Sequence, residues 1–187
     1  VQQAAFTFPG AFAIIASAYL DRYGITPEHL MRVAIKNHDH GALNPKAQYR
    51  NRCTREEVLA SRDISPPLTL MMCSPIGDGA AAAILMSEEK ARQYTTKPVW
   101  VRATALMSGS DHRAEHGGIT ARAARRAFEM AAMTPRDINV MEVHDASAPA
   151  ELMLYEELGL CAEGEGGRLI AEGATEIGGR LPVNTSG

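Results

Sequence analysis

The sequence is short of cysteine, has no long apolar run and carries no surplus of one charge. Each shortage removes a class of protein. Three cysteines in 187 residues, at Cys53, Cys73 and Cys161, are too few and too irregular for a disulfide framework or a thiolate zinc site. They suit a reducing compartment, so a cytoplasmic location is expected. No run approaches the roughly eighteen apolar residues of a membrane span, and no charged start followed by an apolar stretch marks an export signal. A net charge of -3 offers no basic face for nucleic acid or an anionic membrane. Repeats of solenoid period and low-complexity tracts are also missing.

What remains is a chain that is 45% hydrophobic, enough to bury a core in one or two domains. Phe6 to Tyr23 reads as a helix with Phe12, Ile15, Tyr19 and Leu20 as its apolar stripe and Gly24 closing it. Thr26 caps a second helix opened by Pro27, with Leu30, Val33, Ala34 and Ile35 on its buried face. The polar, Gly/Asn/Pro-punctuated stretch from Asn37 to Tyr49 reads as a loop or broken helix. Thr54-Arg55-Glu56-Glu57 is a capping box for a short helix ending near Ser61. Leu68 to Met72 predicts a strand, Gly77-Asp78-Gly79 a tight turn, and Ala80 to Met86 a small-residue strand. A charged connector from Glu88 to Lys97 ends at Pro98 and marks a domain boundary. Beyond it, Val99 to Ala103 predicts a strand, Ile119 to Met133 a helix, and Thr134-Pro135-Arg136-Asp137 a capped turn. Strand and helix in alternation predict an α/β fold with mainly parallel or mixed sheets.

The most informative segment is Val140-Met141-Glu142-Val143-His144-Asp145-Ala146-Ser147-Ala148. A buried-strand pattern runs into two side chains capable of catalysis, and a helix follows, stopped by Gly159. This puts the imidazole of His144 at the rim of a sheet, where α/β proteins bind ligands. Alone, a His-Asp pair could equally be a satisfied histidine beside a helix cap. The second block is Cys73-Ser74-Pro75-Ile76-Gly77-Asp78-Gly79, followed by four alanines. As a phosphate loop it fits poorly, because no lysine follows and no helix starts there. Cys73 and Cys161 read as small buried hydrophobes. His38 with His40, or His112 with His116, could pair on a metal, but no carboxylate or thiolate completes a set. Lys36, Lys46, Arg50, Arg52 and Arg55 make one region locally basic, either a solvated face or a rim for phosphates.

Taken together with Lys36-Asn37-His38-Asp39-His40-Gly41-Ala42-Leu43-Asn44-Pro45, these blocks resemble the thiolase superfamily, in its sterol-carrier-protein and lipid-transfer-protein branch. The resemblance extends through Glu57 to Ser61 and Leu154 to Cys161, and covers nearly the whole sequence from Phe8 on. It implies the thiolase-like fold: parts of two mixed-sheet α/β halves with an inserted helical loop region. Residues 1–97 would be the later part of the first half, with 1–60 the loop region and 68–87 the closing strands. Residues 98–187 would begin the second half. Both ends then look cut, with the family's nucleophilic cysteine before Val1 and its Gly-His-Pro segment after Gly187.

On this resemblance His144 is the catalytic residue that helps form an oxyanion hole over a thioester carbonyl. Ser74 contacts coenzyme A through a pantetheine amide. Coenzyme A or acyl-CoA is a substrate, and no cofactor is permanently bound. The expected substrates are acyl-CoA, steroid-CoA or lipid-CoA thioesters. The expected assembly is a homodimer or homotetramer, with a lipid-transfer or OB-fold protein as candidate partner. The reaction implied is acyl transfer with making or breaking of a C–C bond next to the thioester. One departure matters. Ala146 stands where many members carry a second catalytic cysteine, and Ser147 replaces a Phe; a methyl group cannot move a proton. The alternatives are a retro-aldol lyase of the steroid side-chain type, or a binder of acyl-CoA or lipid that kept the fold without the chemistry.

Overall fold

Thr7 starts the first helix by accepting the amide of Gly10 on its hydroxyl at 3.2 Å, with Pro9 in the first turn. Helix α1 (Phe8–Tyr23) then ends at Gly24, whose left-handed φ of 64° suits a residue with no Cβ. The computed structural model describes residues 7–109 and 118–187. His112 and His116 therefore lie outside the described residues, as does the expected helix start at Phe6.

Helix α2 (Pro27–Leu43) opens on a capping box in which Thr26 and His29 bond each other's backbone amides. Leu30, Met31, Val33 and Ala34 bury their side chains. The helix does not break at Asn37 as expected but runs on to Leu43. In its last two turns the amide nitrogen of Asn37 and the ring of His40 bond partners more than a hundred residues away in sequence, which no local pattern reveals. The box at Thr54 forms with both of its bonds and launches α3 (Arg55–Ala60).

Asp63–Ser65 and Leu68–Thr69 pair antiparallel as β1 and β2, joined through Pro66-Pro67. The strand expected over Leu68 to Met72 thus stops at Thr69 and continues as a 3₁₀ turn, Leu70–Met72. The strands expected over Ala80 to Met86 and Val99 to Ala103 have no regular secondary structure. Ile76, Val99 and Leu106 are 96% exposed or more. A strand needs a neighbour to take its backbone hydrogen bonds, and none lies beside these segments among the described residues.

Between those two segments lies a short helix, α4 (Glu88–Ala91), in the charged connector. Helix α5 (Ile119–Ala131) follows, ended by Ala132 at φ 53°, and Thr134 with Asp137 caps the turn Pro135–Asp137. Helix α6 (Ala148–Glu157) has Pro149 in its first turn, and Gly159 follows with φ 75°. A further helix, α7 (Gly166–Ala171), was not foreseen. Its six residues are too few to show a period.

One core joins the two ends of the chain. Leu30, Val58 and Leu68 meet Leu152, Tyr155 and Val183, all essentially inaccessible to solvent. In its midst lies an ion pair. Lys36 bonds Glu151 and also donates to the carbonyl of Val183 at 2.8 Å. Their side chains are 1% and 0% exposed. Lys36 therefore does not belong to a solvated basic rim, as its neighbours in sequence led one to expect. Nor is Glu151 on a wet face, because α6 is buried all round its first turn. No helix among the described residues is long and apolar enough to cross a membrane.

A buried charge stripped of its partner costs far more than the pair contributes. Lys36→Met should lower unfolding free energy by about 3–5 kcal/mol in urea titration. Glu151→Gln should cost clearly less, because the neighbouring Asp145 can then ionise and take over Lys36.

Candidate active site

Extended backbone sends successive side chains to opposite sides, and this alternation sorts the segment after Met141. Val143 packs against the core, His144 is exposed, Asp145 turns inward, and Ser147 is 2% exposed at the start of α6. The strand expected here is reduced to a single parallel bridge between Met141 and Val183. Asn184 secures it: its backbone amide donates to Met141 O at 2.8 Å, and its Oδ1 accepts the amide of Val143 at 2.7 Å.

The second block meets this segment directly. Cys73 bridges Ser147 in antiparallel fashion, and both the amide and the hydroxyl of Ser74 donate to Ala146 O at 3.2 Å. Two stretches some seventy residues apart, each picked out in the sequence for its chemistry, thus form one wall. The wall borders a cavity of about 600 Å³. Ser74 and Asp145 line it together with Asn37 and His38 of α2, and Cys53 and Tyr49 of the loop that follows. The His144 side chain is not part of the lining. It is exposed and makes no hydrogen bond among the described residues.

Beneath the wall lies a polar cluster. Asn37 Nδ2 donates to Asp145 Oδ2 at 2.7 Å and to Glu151 Oε2 at 2.8 Å. Asn184 Nδ2 donates to Glu151 Oε2 at 3.1 Å, and the Tyr155 hydroxyl bonds Glu151 and, at 3.1 Å, Thr175. Glu151 therefore draws on four donors, whereas Asp145 has Asn37 alone among side chains. Burial, then the charge of Glu151, pushes the Asp145 carboxyl up to about 7. Burial likewise raises the Cys53 thiol to about 11 and that of Cys73 above its ordinary value. Neither is a ready thiolate at neutral pH, in keeping with the reading of Cys73 as a packed side chain. Cys161, pushed up to about 12 by burial and by Glu156, is the same.

The two histidines considered as a metal pair point apart. His38 shares Nδ1 with Asn51 O at 3.2 Å beside the cavity. His40 is buried, with Nδ1 against Asn184 O at 2.9 Å and Nε2 accepting the Ile177 amide at 3.1 Å. Of the basic residues nearby, Arg52 reaches Asp39 and Arg55 reaches Glu28. The last turn of the chain closes one side of the cavity. Gly187, at φ 91°, comes so near α2 that a Cβ on it would lie 2.3 Å from the Gly41 Cα, and one on Gly41 would lie 2.7 Å from Tyr49 O. Sequence reasoning missed Asn37, Glu151 and Asn184 as members of the site. The signal was present for Glu151 alone, an acidic residue within the apolar run of α6.

Comparison with known proteins adds four findings. Residues 110–187 match the family described as thiolase C-terminal domain-like. An acetyl-CoA acetyltransferase of Methanothermobacter thermautotrophicus is 43% identical over 99% of this chain and 50% of its own length. The sterol carrier protein 2 of Bos taurus is 37% identical over 96% of this chain and 35% of its own. Among solved structures, the Ltp2-ChsH2(DUF35) aldolase superimposes with a TM-score of 0.86 at 33% identity, covering 97% of this chain and 50% of that one. The chain spans half or less of the length of these relatives.

A carboxyl whose folded pKa is raised stabilises the fold only while protonated. Its contribution is complete below the ordinary aspartate range and is lost as pH rises through about 7. Urea unfolding at about pH 5 and about pH 8 should therefore show a fall in stability with pH, and Asp145→Asn should make that fall smaller.

Proposed function

Because this chain belongs to the thiolase superfamily, we propose that the whole protein is an acyl-CoA enzyme that makes or breaks a C–C bond next to a thioester. The observation that carries this reading is the wall itself. Ser74 is pinned to Ala146 over a cavity of about 600 Å³ that Asp145 also lines, and His144 is the exposed residue next to Asp145 in the chain. A pantetheine arm passing Ser74 can give and receive hydrogen bonds at the hydroxyl. That interaction is the same before and during reaction, so it governs binding. His144, unbonded and exposed, can turn a nitrogen toward the thioester oxygen, where negative charge builds as the carbonyl becomes tetrahedral or enolic. A fixed donor at that point lowers the barrier. On this reading residues 1–97 are the later part of one thiolase half and 98–187 the first part of the other. Coenzyme A is substrate rather than resident cofactor.

A second reading has a specific observation in its favour. Ala146 places a methyl where a thiol would serve as acid or base, and one structural relative is described as an aldolase. Retro-aldol cleavage of a β-hydroxyacyl-CoA needs deprotonation of the hydroxyl and protonation of the resulting enolate, but no thiol to carry an acyl group. The two readings separate on substrate. A transferase consumes free coenzyme A with a β-ketoacyl-CoA, whereas a lyase releases a carbonyl compound from a β-hydroxyacyl-CoA without it.

In the intact protein, steady-state kinetics should show His144→Ala lowering kcat by roughly 10²–10³ with little change in KM. Ser74→Ala should raise KM for the coenzyme A thioester and leave kcat near that of the parent. If His144→Ala leaves kcat untouched, the imidazole is only an exposed strand-end residue.

A further inference from the structure

Ala146 has no exchangeable proton to offer at the cavity wall, and burial keeps the thiols of Cys53 and Cys73 from being ready thiolates there, yet a carboxyl lies between His144 and Ala146. The carboxyl of Asp145 lines the cavity and shares the amide of Asn37 with the carboxyl of Glu151, Nδ2 lying 2.7 Å from Asp145 Oδ2 and 2.8 Å from Glu151 Oε2. Two carboxylates gathered on one amide nitrogen away from water repel each other, and a proton on one of them removes that repulsion. The charge balance demands the same: Lys36 is the one cation bonded into this cluster among the described residues, and it is committed to Glu151 and to Val183 O. Glu151, fully buried with four donors, is the better-solvated anion. The proton therefore belongs on Asp145.

The remaining groups around it do not alter this. His38, from the same helix as Lys36, is turned to Asn51. Arg52, across the cavity, is directed at Asp39. Glu57 is engaged with the Thr54 amide, Tyr155 with Glu151, and His144 is exposed.

We infer that Asp145 is the proton carrier of this cavity: a neutral carboxylic acid at rest that donates its proton to the oxygen of a bound thioester carbonyl as negative charge develops there. The O–H bond of Asp145 breaks and an O–H bond forms on the substrate oxygen. The carboxylate left behind keeps the hydrogen bond from Asn37, and the proton returns when the carbonyl re-forms. Asp145 thus supplies what Ala146 lacks. The inference rests on the acyl-CoA reading above, since it needs a carbonyl oxygen in the cavity.

The test has two arms on the intact protein. In the first, side-chain ¹³C-labelled aspartate is followed by NMR across pH with no ligand present. The Asp145 carboxyl, assigned through its own backbone, should titrate near neutral pH, and Glu151→Gln should lower its midpoint by about one pH unit or more. An ordinary aspartate titration overturns the inference whatever the protein binds. In the second arm, Asp145→Asn should lower kcat roughly 100-fold, leave KM within about twofold and abolish the limb of the kcat–pH profile near neutrality. An unchanged kcat and profile in that variant overturns the inference while leaving the acyl-CoA reading intact. Failure of that reading shows separately, as absence of coenzyme A thioester binding to the parent by calorimetry.

Discussion

A lysine held out of water by a glutamate is the constraint around which this chain is arranged. Lys36 and Glu151 lie 115 residues apart and have lost nearly all contact with solvent. Removing two ions from water costs several kcal/mol each, and attraction between them offsets that only if every remaining hydrogen-bonding site is filled. The filling is done by Asn37, Asn184, Tyr155 and the carbonyl of Val183. Those partners come from α2, α6 and the last turn of the chain, so the requirement to satisfy one buried pair fixes three segments relative to one another. Apolar burial makes them collapse. The polar cluster decides in which arrangement.

The candidate site depends on that arrangement at every point. Asp145 faces the cavity because α6 places Glu151 behind it and α2 places Asn37 beside it. The wall formed by Ser74 and Ala146 stands over this cluster and is joined to α6 through Ser147, the buried residue that starts that helix.

Much of the helical framework was legible because its determinants are local. Thr26, Thr54 and Thr134 each stand before a Pro or a charged first turn, and each starts an element where the sequence places it. Strands were legible only as propensity. Ala80 to Met86 and Val99 to Ala103 carry the right residues, but a strand exists by virtue of a neighbour and neither segment has one among the described residues. The site was half legible. Ser74, His144 and Asp145 stood out by residue type, whereas Lys36, Asn37 and Asn184 did not. A buried lysine looks like any other lysine until the glutamate that excuses its burial is found far along the chain. The continuation of α2 past Asn37 was hidden for the same reason.

The close approach of Gly41 and Gly187 bears on the range of ligands the cavity can take. One boundary of the cavity at this place is two backbones in contact with no side chain between them. A methyl at either position would drive the backbone of Tyr49 or the chain's last turn away from α2, and both belong to the cavity lining. Ligand size is therefore governed here by side chains that are missing rather than by those that line the space. A single change from glycine to alanine at Gly41, which does not itself line the cavity, would therefore alter its girth with every lining residue unchanged.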